Sequence, residues 1–153
     1  MSETIATTIT TTGRCLCGAV TATVTQLNPS VSACHCSMCR TWGGGPLLAL
    51  ECGTEVSFEG AGAITVFDSS AWAERGFCQY CGTHLFYRIK DSQAYFMPVG
   101  LFDRAALKPG TFHFTQQIFV DEQPDYYCFS NATKQLTGAE VFALYAPPES
   151  PEK

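Results

Sequence analysis

The chain has 153 residues and a mass of 16.6 kDa, the size of one ordinary domain, and its 46% apolar content is enough to fill one core, which excludes a disordered protein. Charged residues make up only 15%, and 9 Lys and Arg against 14 Asp and Glu leave a formal charge of −5, so no basic field attracts nucleic acid or an anionic membrane. No apolar run approaches the roughly 20 residues of a bilayer helix, and the opening MSETIATTITTTGR has neither the charged n-region nor the apolar h-region of an export signal, so a cytoplasmic location is expected.

Residues 1–12, rich in Thr and without apolar periodicity, read as a flexible N-terminal tail. Residues 147–153, where prolines alternate with charge, read as a C-terminal one, leaving a domain over 13–146. Within it AVTATVTQ (19–26) alternates Val20, Ala22 and Val24 against threonines, the period-2 pattern of a half-buried strand. LLALEC, EVSF, AITVF, HLFYRI and AYFMPVG follow as short β-branched or aromatic runs punctuated by Gly, Asp or Ser. Helix signals are few. Asp103 is placed to cap a turn in DRAAL, and Thr137 with Glu140 forms a T-x-x-E capping pattern ahead of VFALY, which Pro147 and Pro148 stop. The fold class expected is mainly β with few short helices, and no glycine-rich phosphate loop is present.

Nine cysteines in a chain without an export signal point to metal rather than to disulfides, which a reducing cytosol does not keep. Seven fall into three clusters: Cys15 and Cys17 as CxC, Cys34, Cys36 and Cys39 as CxCxxC, and Cys78 and Cys81 as CxxC. In an extended segment alternate side chains share a face, so each CxC turns two sulfurs to one side, and CxxC is expected to add a third through a tight turn. Gly18 and Gly82, directly after the outer clusters, tolerate the positive φ of a backbone curled around an ion. A structural zinc takes four protein ligands and a catalytic zinc three. The seven sulfurs then divide into a closed site, Cys15, Cys17, Cys78 and Cys81, and an open one, Cys34, Cys36 and Cys39, giving two zinc ions per chain. A rival partition joins Cys15 and Cys17 to two of the middle three and leaves Cys78 and Cys81 incomplete or as a redox pair. Cys52 and Cys128, among apolar neighbours, read as buried small hydrophobes. The alternation that aligns Cys34 with Cys36 turns the His35 imidazole away from them, toward a supporting or proton-transfer role at most, while His84 and His113 read as packing residues.

On GRCLCGAV, ACHCSMCR and RGFCQYCGTHLFY, with VGLFDRAALKPGTFHF and IFVDEQPDYY downstream, the chain resembles the glutathione-dependent formaldehyde-activating enzyme family, which includes centromere-protein-V-like members. The resemblance implies tent-like pleated sheets stabilised by zinc, with the four-cysteine structural ion on Cys15, Cys17, Cys78 and Cys81 and the three-cysteine catalytic ion on Cys34, Cys36 and Cys39. It also implies a carbon–sulfur lyase, or its condensing reverse, acting on a thiol–aldehyde adduct such as S-hydroxymethylglutathione. One departure is Gln117, where many relatives carry a histidine. A small thiol such as glutathione is the expected partner, and nucleic acid and membrane are not. Exposed strand edges are compatible with a homodimer. The backbone N–H groups of Gly43, Gly44 and Gly45 are candidates to meet a developing alkoxide, and Arg40 and Arg75 candidates to meet substrate carboxylates. The alternative function is a non-catalytic zinc-stabilised binding module whose three-cysteine cluster is completed by a protein side chain such as histidine.

Overall fold

The computed structural model describes residues 8–102 and 107–145, and the turn expected at Asp103 lies outside them. The elements in chain order begin with β1 (Ile9–Arg14), β2 (Thr21–Leu27), β3 (Ser30–Cys34), α1 (Ser37–Gly43), β4 (Leu47–Gly53) and β5 (Val56–Glu59). They continue with β6 (Ile64–Phe67), β7 (Ala73–Cys78), β8 (His84–Ile89), β9 (Tyr95–Pro98), β10 (His113–Ile118), β11 (Lys134–Leu136) and α2 (Gly138–Tyr145), joined in places by 3-10 turns. The protein is mainly β, as its short apolar runs predict. By its internal contacts the chain divides into two compact units, Met1–Val31 with Leu48–His113 and Ser32–Leu47 with Phe114–Lys153.

The first unit carries a three-stranded sheet, β1-β2-β5, and an antiparallel run in the order β4-β9-β8-β7-β6. Residues 9–12, read above as tail, belong to β1: Thr11, Thr12 and Gly13 pair antiparallel with Val24, Thr23 and Ala22, so backbone pairing orders a segment that has no apolar pattern of its own. The β2 alternation is observed, with Val20, Ala22, Val24 and Leu27 essentially inaccessible to water and joined in the core by Leu50, Leu85, Met97 and Phe102. Each such Val, Leu, Met or Phe side chain stabilises the fold by about 1.5–3 kcal/mol through burial. Strand β7 is less apolar. Its Arg75 is buried with the guanidinium over the Tyr87 ring, and Glu74 holds Arg88 in an ion pair across to β8, so cross-strand pairs supply what hydrophobicity does not. Gly76 lies flat under Phe86, and a methyl group there would stand 2.4 Å from the ring. Gly76→Ala is therefore expected to lower stability by about 1–3 kcal/mol in urea unfolding, with no change in bound metal.

In the second unit the strand order is β11-β10-β3, with β11 parallel to β10 through the pairs Gln116 with Lys134, Gln117 with Gln135 and Ile118 with Leu136. The T-x-x-E box is formed as predicted: Glu140 N–H donates to Thr137 Oγ1 at 3.2 Å, and Thr137 N–H donates to the Glu140 carboxylate at 2.7 Å. Helix α2 follows directly. Helix α1 stands where the CxCxxC spacing predicts only a tight turn. Cys36 is its N-cap, accepting from Cys39 N–H at 3.4 Å, and Gly44 closes it in the left-handed conformation with its N–H on Arg40 O at 2.8 Å. Cys39 is the helical residue that α1 buries.

Candidate metal centres

Two groups of cysteine sulfurs are assembled, each with all its Sγ atoms within 4.8 Å of one another. One is Cys15, Cys17, Cys78 and Cys81, in the first unit, and the other is Cys34, Cys36 and Cys39, in the second.

The four-sulfur group is made by two like turns, one between β1 and β2 and one between β7 and β8. In the first, Gly18 N–H returns to Cys15 O at 3.1 Å, and in the second, Gly82 N–H returns to Cys78 O at 2.8 Å. Both glycines stand at positive φ, 81° and 78°, as the sequence suggested. Backbone N–H of Val20 donates to the Cys15 sulfur at 3.3 Å. Thr83 ties the turns together, its hydroxyl oxygen accepting from Leu16 N–H at 3.1 Å and lying 3.2 Å from the Cys81 sulfur. Hydrogen bonding from Thr83 holds the Cys81 thiol down at about 5. Cys15 and Cys78 are buried and Cys17 is exposed. The Cys15–Cys17 and Cys17–Cys78 sulfurs are 3.7 Å apart. A tetrahedron with zinc–sulfur bonds of about 2.3 Å has edges of about 3.8 Å, so these two edges match those of a zinc site. All nine cysteines are unbridged.

The three-sulfur group sits where β3 ends and α1 begins. Cys34 and Cys36 share a face of extended chain, and the first turn of α1 brings Cys39 to them. Hydrogen bonding from Cys34, and then from Cys39, draws the Cys36 thiol down to about 2 despite its burial, while the same contact pushes the Cys34 thiol up. Among the described residues no fourth His, Cys, Asp or Glu joins this group.

His35 is completely buried on the opposite face, as its position between two ligands implied. Its Nε2 is 2.8 Å from Gln117 Oε1 and its Nδ1 is 2.7 Å from the Tyr127 hydroxyl. The Gln117 amide nitrogen donates to Thr133 Oγ1 at 2.9 Å, which turns its oxygen toward His35. An amide oxygen only accepts, so His35 Nε2 carries a proton and donates to Gln117; in the neutral imidazole Nδ1 then accepts from the Tyr127 hydroxyl. The imidazole also stacks on Tyr127 at 5.5 Å. Gln117, flagged in the sequence only as a departure, is therefore a buried orienting partner. Tyr127 was not singled out in the sequence at all.

Other candidates are placed differently. Cys52 is buried as expected, and burial pushes its thiol up to about 12. Cys128 is exposed, contrary to expectation, because 127 and 129 turn inward beside His35 and the residue between them turns out. His113 is exposed rather than packed, whereas His84 is half-buried. The Gly44 N–H is taken up by Arg40 O and cannot meet a substrate oxygen. Arg40 donates through Nε to His35 O at 2.9 Å, which leaves its terminal nitrogens for a carboxylate, whereas Arg75 is a buried core cation rather than a surface one.

A mainly β scaffold presents one cluster of four and one of three cysteine sulfurs, each of which could hold a metal ion, with donors suited to zinc. Residues 10–122 match the glutathione-dependent formaldehyde-activating enzyme family, and the chain belongs to that family. It is 34% identical over 130 residues to an uncharacterized lyase of Schizosaccharomyces pombe, an alignment covering 84% of this chain and 92% of that protein. It is also similar to the crystal structure of a Rhodobacter sphaeroides protein, with a TM-score of 0.53 and 27% identity over 64% of this chain and 91% of the other.

Proposed function

We propose that the protein is a zinc-dependent carbon–sulfur lyase, or runs the condensing reverse, on a thiol–aldehyde adduct such as S-hydroxymethylglutathione. The observation that carries this reading is the contrast between the clusters: four sulfurs close one site, and three sulfurs leave the other a ligand short. Among the described residues no fourth His, Cys, Asp or Glu joins the three sulfurs, and both His35 nitrogens are committed to Gln117 and Tyr127, which counts against the alternative, a non-catalytic binding module whose three-cysteine cluster is completed by a protein side chain such as histidine. Membership of the family and the lyase name of the yeast relative support the reaction class.

Cys34, Cys36 and Cys39 would hold the catalytic zinc, and Cys15, Cys17, Cys78 and Cys81 a structural one. A zinc with an open position supplies, when bound, a positive charge that stabilises substrate sulfur as the thiolate at neutral pH. In the lyase direction the adduct's hydroxyl would lose its proton to water, and the carbon–oxygen double bond would form as the carbon–sulfur bond breaks and its electron pair leaves with sulfur as the thiolate. Arg40, pinned by its Nε, offers its terminal nitrogens to a carboxylate of a glutathione-like thiol. The net charge of −5 argues against nucleic acid as partner, and no helix among the described residues is long and apolar enough to cross a membrane. Nine unbridged thiols fit a reducing compartment such as the cytoplasm.

The test is the exchange rate between glutathione, formaldehyde and their hydroxymethyl adduct at equilibrium, measured by magnetisation-transfer NMR. Zinc-loaded protein is expected to accelerate exchange in both directions, and a chelator to abolish the acceleration. Exchange no faster than in buffer would overturn the assignment.

A further inference from the structure

We propose that residues 117–122 are a positioning template for the three-cysteine centre, set in place by a left-handed turn at Phe119 that Gly138 of α2 makes room for. The inference rests on the reading that this cluster holds an ion.

The contacts converge from one short stretch of chain. Ile118 O accepts from His35 N–H at 3.1 Å, Gln117 Oε1 accepts from His35 Nε2–H at 2.8 Å, and the Glu122 carboxylate accepts from Ser37 N–H at 2.8 Å. His35 and Ser37 flank Cys36 on either side, so the backbone that aims the Cys36 sulfur is held at both neighbours. A straight continuation of β10 could not deliver all three acceptors. Between Gln117 and Glu122 the chain reverses at Phe119, whose φ of 56° and ψ of 42° are those of a left-handed residue. An aromatic side chain there is disfavoured and persists only where its surroundings over-determine it.

Helix α2 supplies those surroundings. Gly138 lies against the Phe119 ring so closely that a methyl group would stand 2.9 Å from its Cδ1 and Cε1 atoms. Phe142 meets the same ring edge-on at 5.7 Å, and Asp121 accepts from Gly138 N–H at 2.8 Å. The strained residue is thus buttressed by α2 on one side while its flanks hold the cysteine segment on the other. Groups that orient ligands from behind in this way are worth about 10- to 100-fold in metal affinity.

The test uses the full chain loaded with cadmium, whose NMR resonances separate four-sulfur from three-sulfur coordination, so the four-cysteine site is an internal control for folding. Chelator competition would be followed at each resonance. Gly138→Ala and, independently, Glu122→Ala are expected to weaken the three-sulfur site about 10- to 100-fold and leave the four-sulfur site unchanged. Glu122 is exposed, so its variant removes one hydrogen bond without disturbing a core. Adding Phe119→Asn to Gly138→Ala removes the ring atoms the methyl would strike, keeps a residue that accepts positive φ, and is expected to restore affinity. Two intact resonances in both single variants, or resonances that weaken together, would overturn the template. A wild-type protein with no three-sulfur resonance would instead overturn the open-site reading beneath it.

Discussion

Cys81→Ala is expected to give insoluble or molten protein, because it breaks the ligand set that joins the two turns of the first unit. A four-sulfur zinc site contributes on the order of 10 kcal/mol to folding, and domains are stable by only about 5–15 kcal/mol. Removing one ligand strands three sulfurs and loosens the turn at 78–82, which the hydrogen bond from Leu16 to Thr83 also ties to the turn at 15–18. The consequence spreads beyond the site, since the turns set the pairing of β1 with β2 and of β7 with β8. Far-UV and near-UV circular dichroism with metal analysis of the soluble fraction check this. Soluble protein with native near-UV signal and full activity would show that the four-cysteine group is dispensable.

The two sulfur clusters were legible in the sequence because the spacing of candidate ligands is local chemistry. Two residues of extended chain, or one tight turn, determine which sulfurs can meet, and Gly18 and Gly82 marked where the backbone curls. The observed grouping of sulfurs follows the two-plus-two and three division and not the rival one. Strand β2 and the cap of α2 were readable for the same reason, each being a pattern within a few residues. What escaped depends on partners far along the chain. Helix α1 has no apolar periodicity, and it is held at its start by Glu122, 85 residues away. Strand β7 is charged and became a strand through its partners on β8. Gln117 and Tyr127 carry no sequence signal that distinguishes a buried orienting pair from surface polar residues. The alternation of burial over 126–130, with 127 and 129 turned inward and Cys128 outward, belongs to the structure, because YYCF is apolar throughout and does not announce it.

Cys36→Ala should separate catalysis from folding. Its sulfur accepts from Cys39 N–H at 3.4 Å and lies within 4.8 Å of those of Cys34 and Cys39, so its loss removes one of the three donors of the open cluster. The variant is expected to lose one zinc per chain and the acceleration of thiol–aldehyde exchange, while retaining the zinc of the four-cysteine site. Cys36 has a second role as the N-cap of α1, so the alanine variant also forfeits about 1 kcal/mol of capping. Cys36→Ser distinguishes the two roles, because a hydroxyl still accepts from Cys39 N–H but is a far poorer zinc ligand than a thiolate. If the open site is catalytic, both variants are inactive and the serine one unfolds in urea close to wild type. Unchanged zinc content in either variant would refute the division of the sulfurs into a closed and an open site. Full loss of both metals would mean that the two centres do not load independently, and that Cys36 supports the fold rather than the reaction.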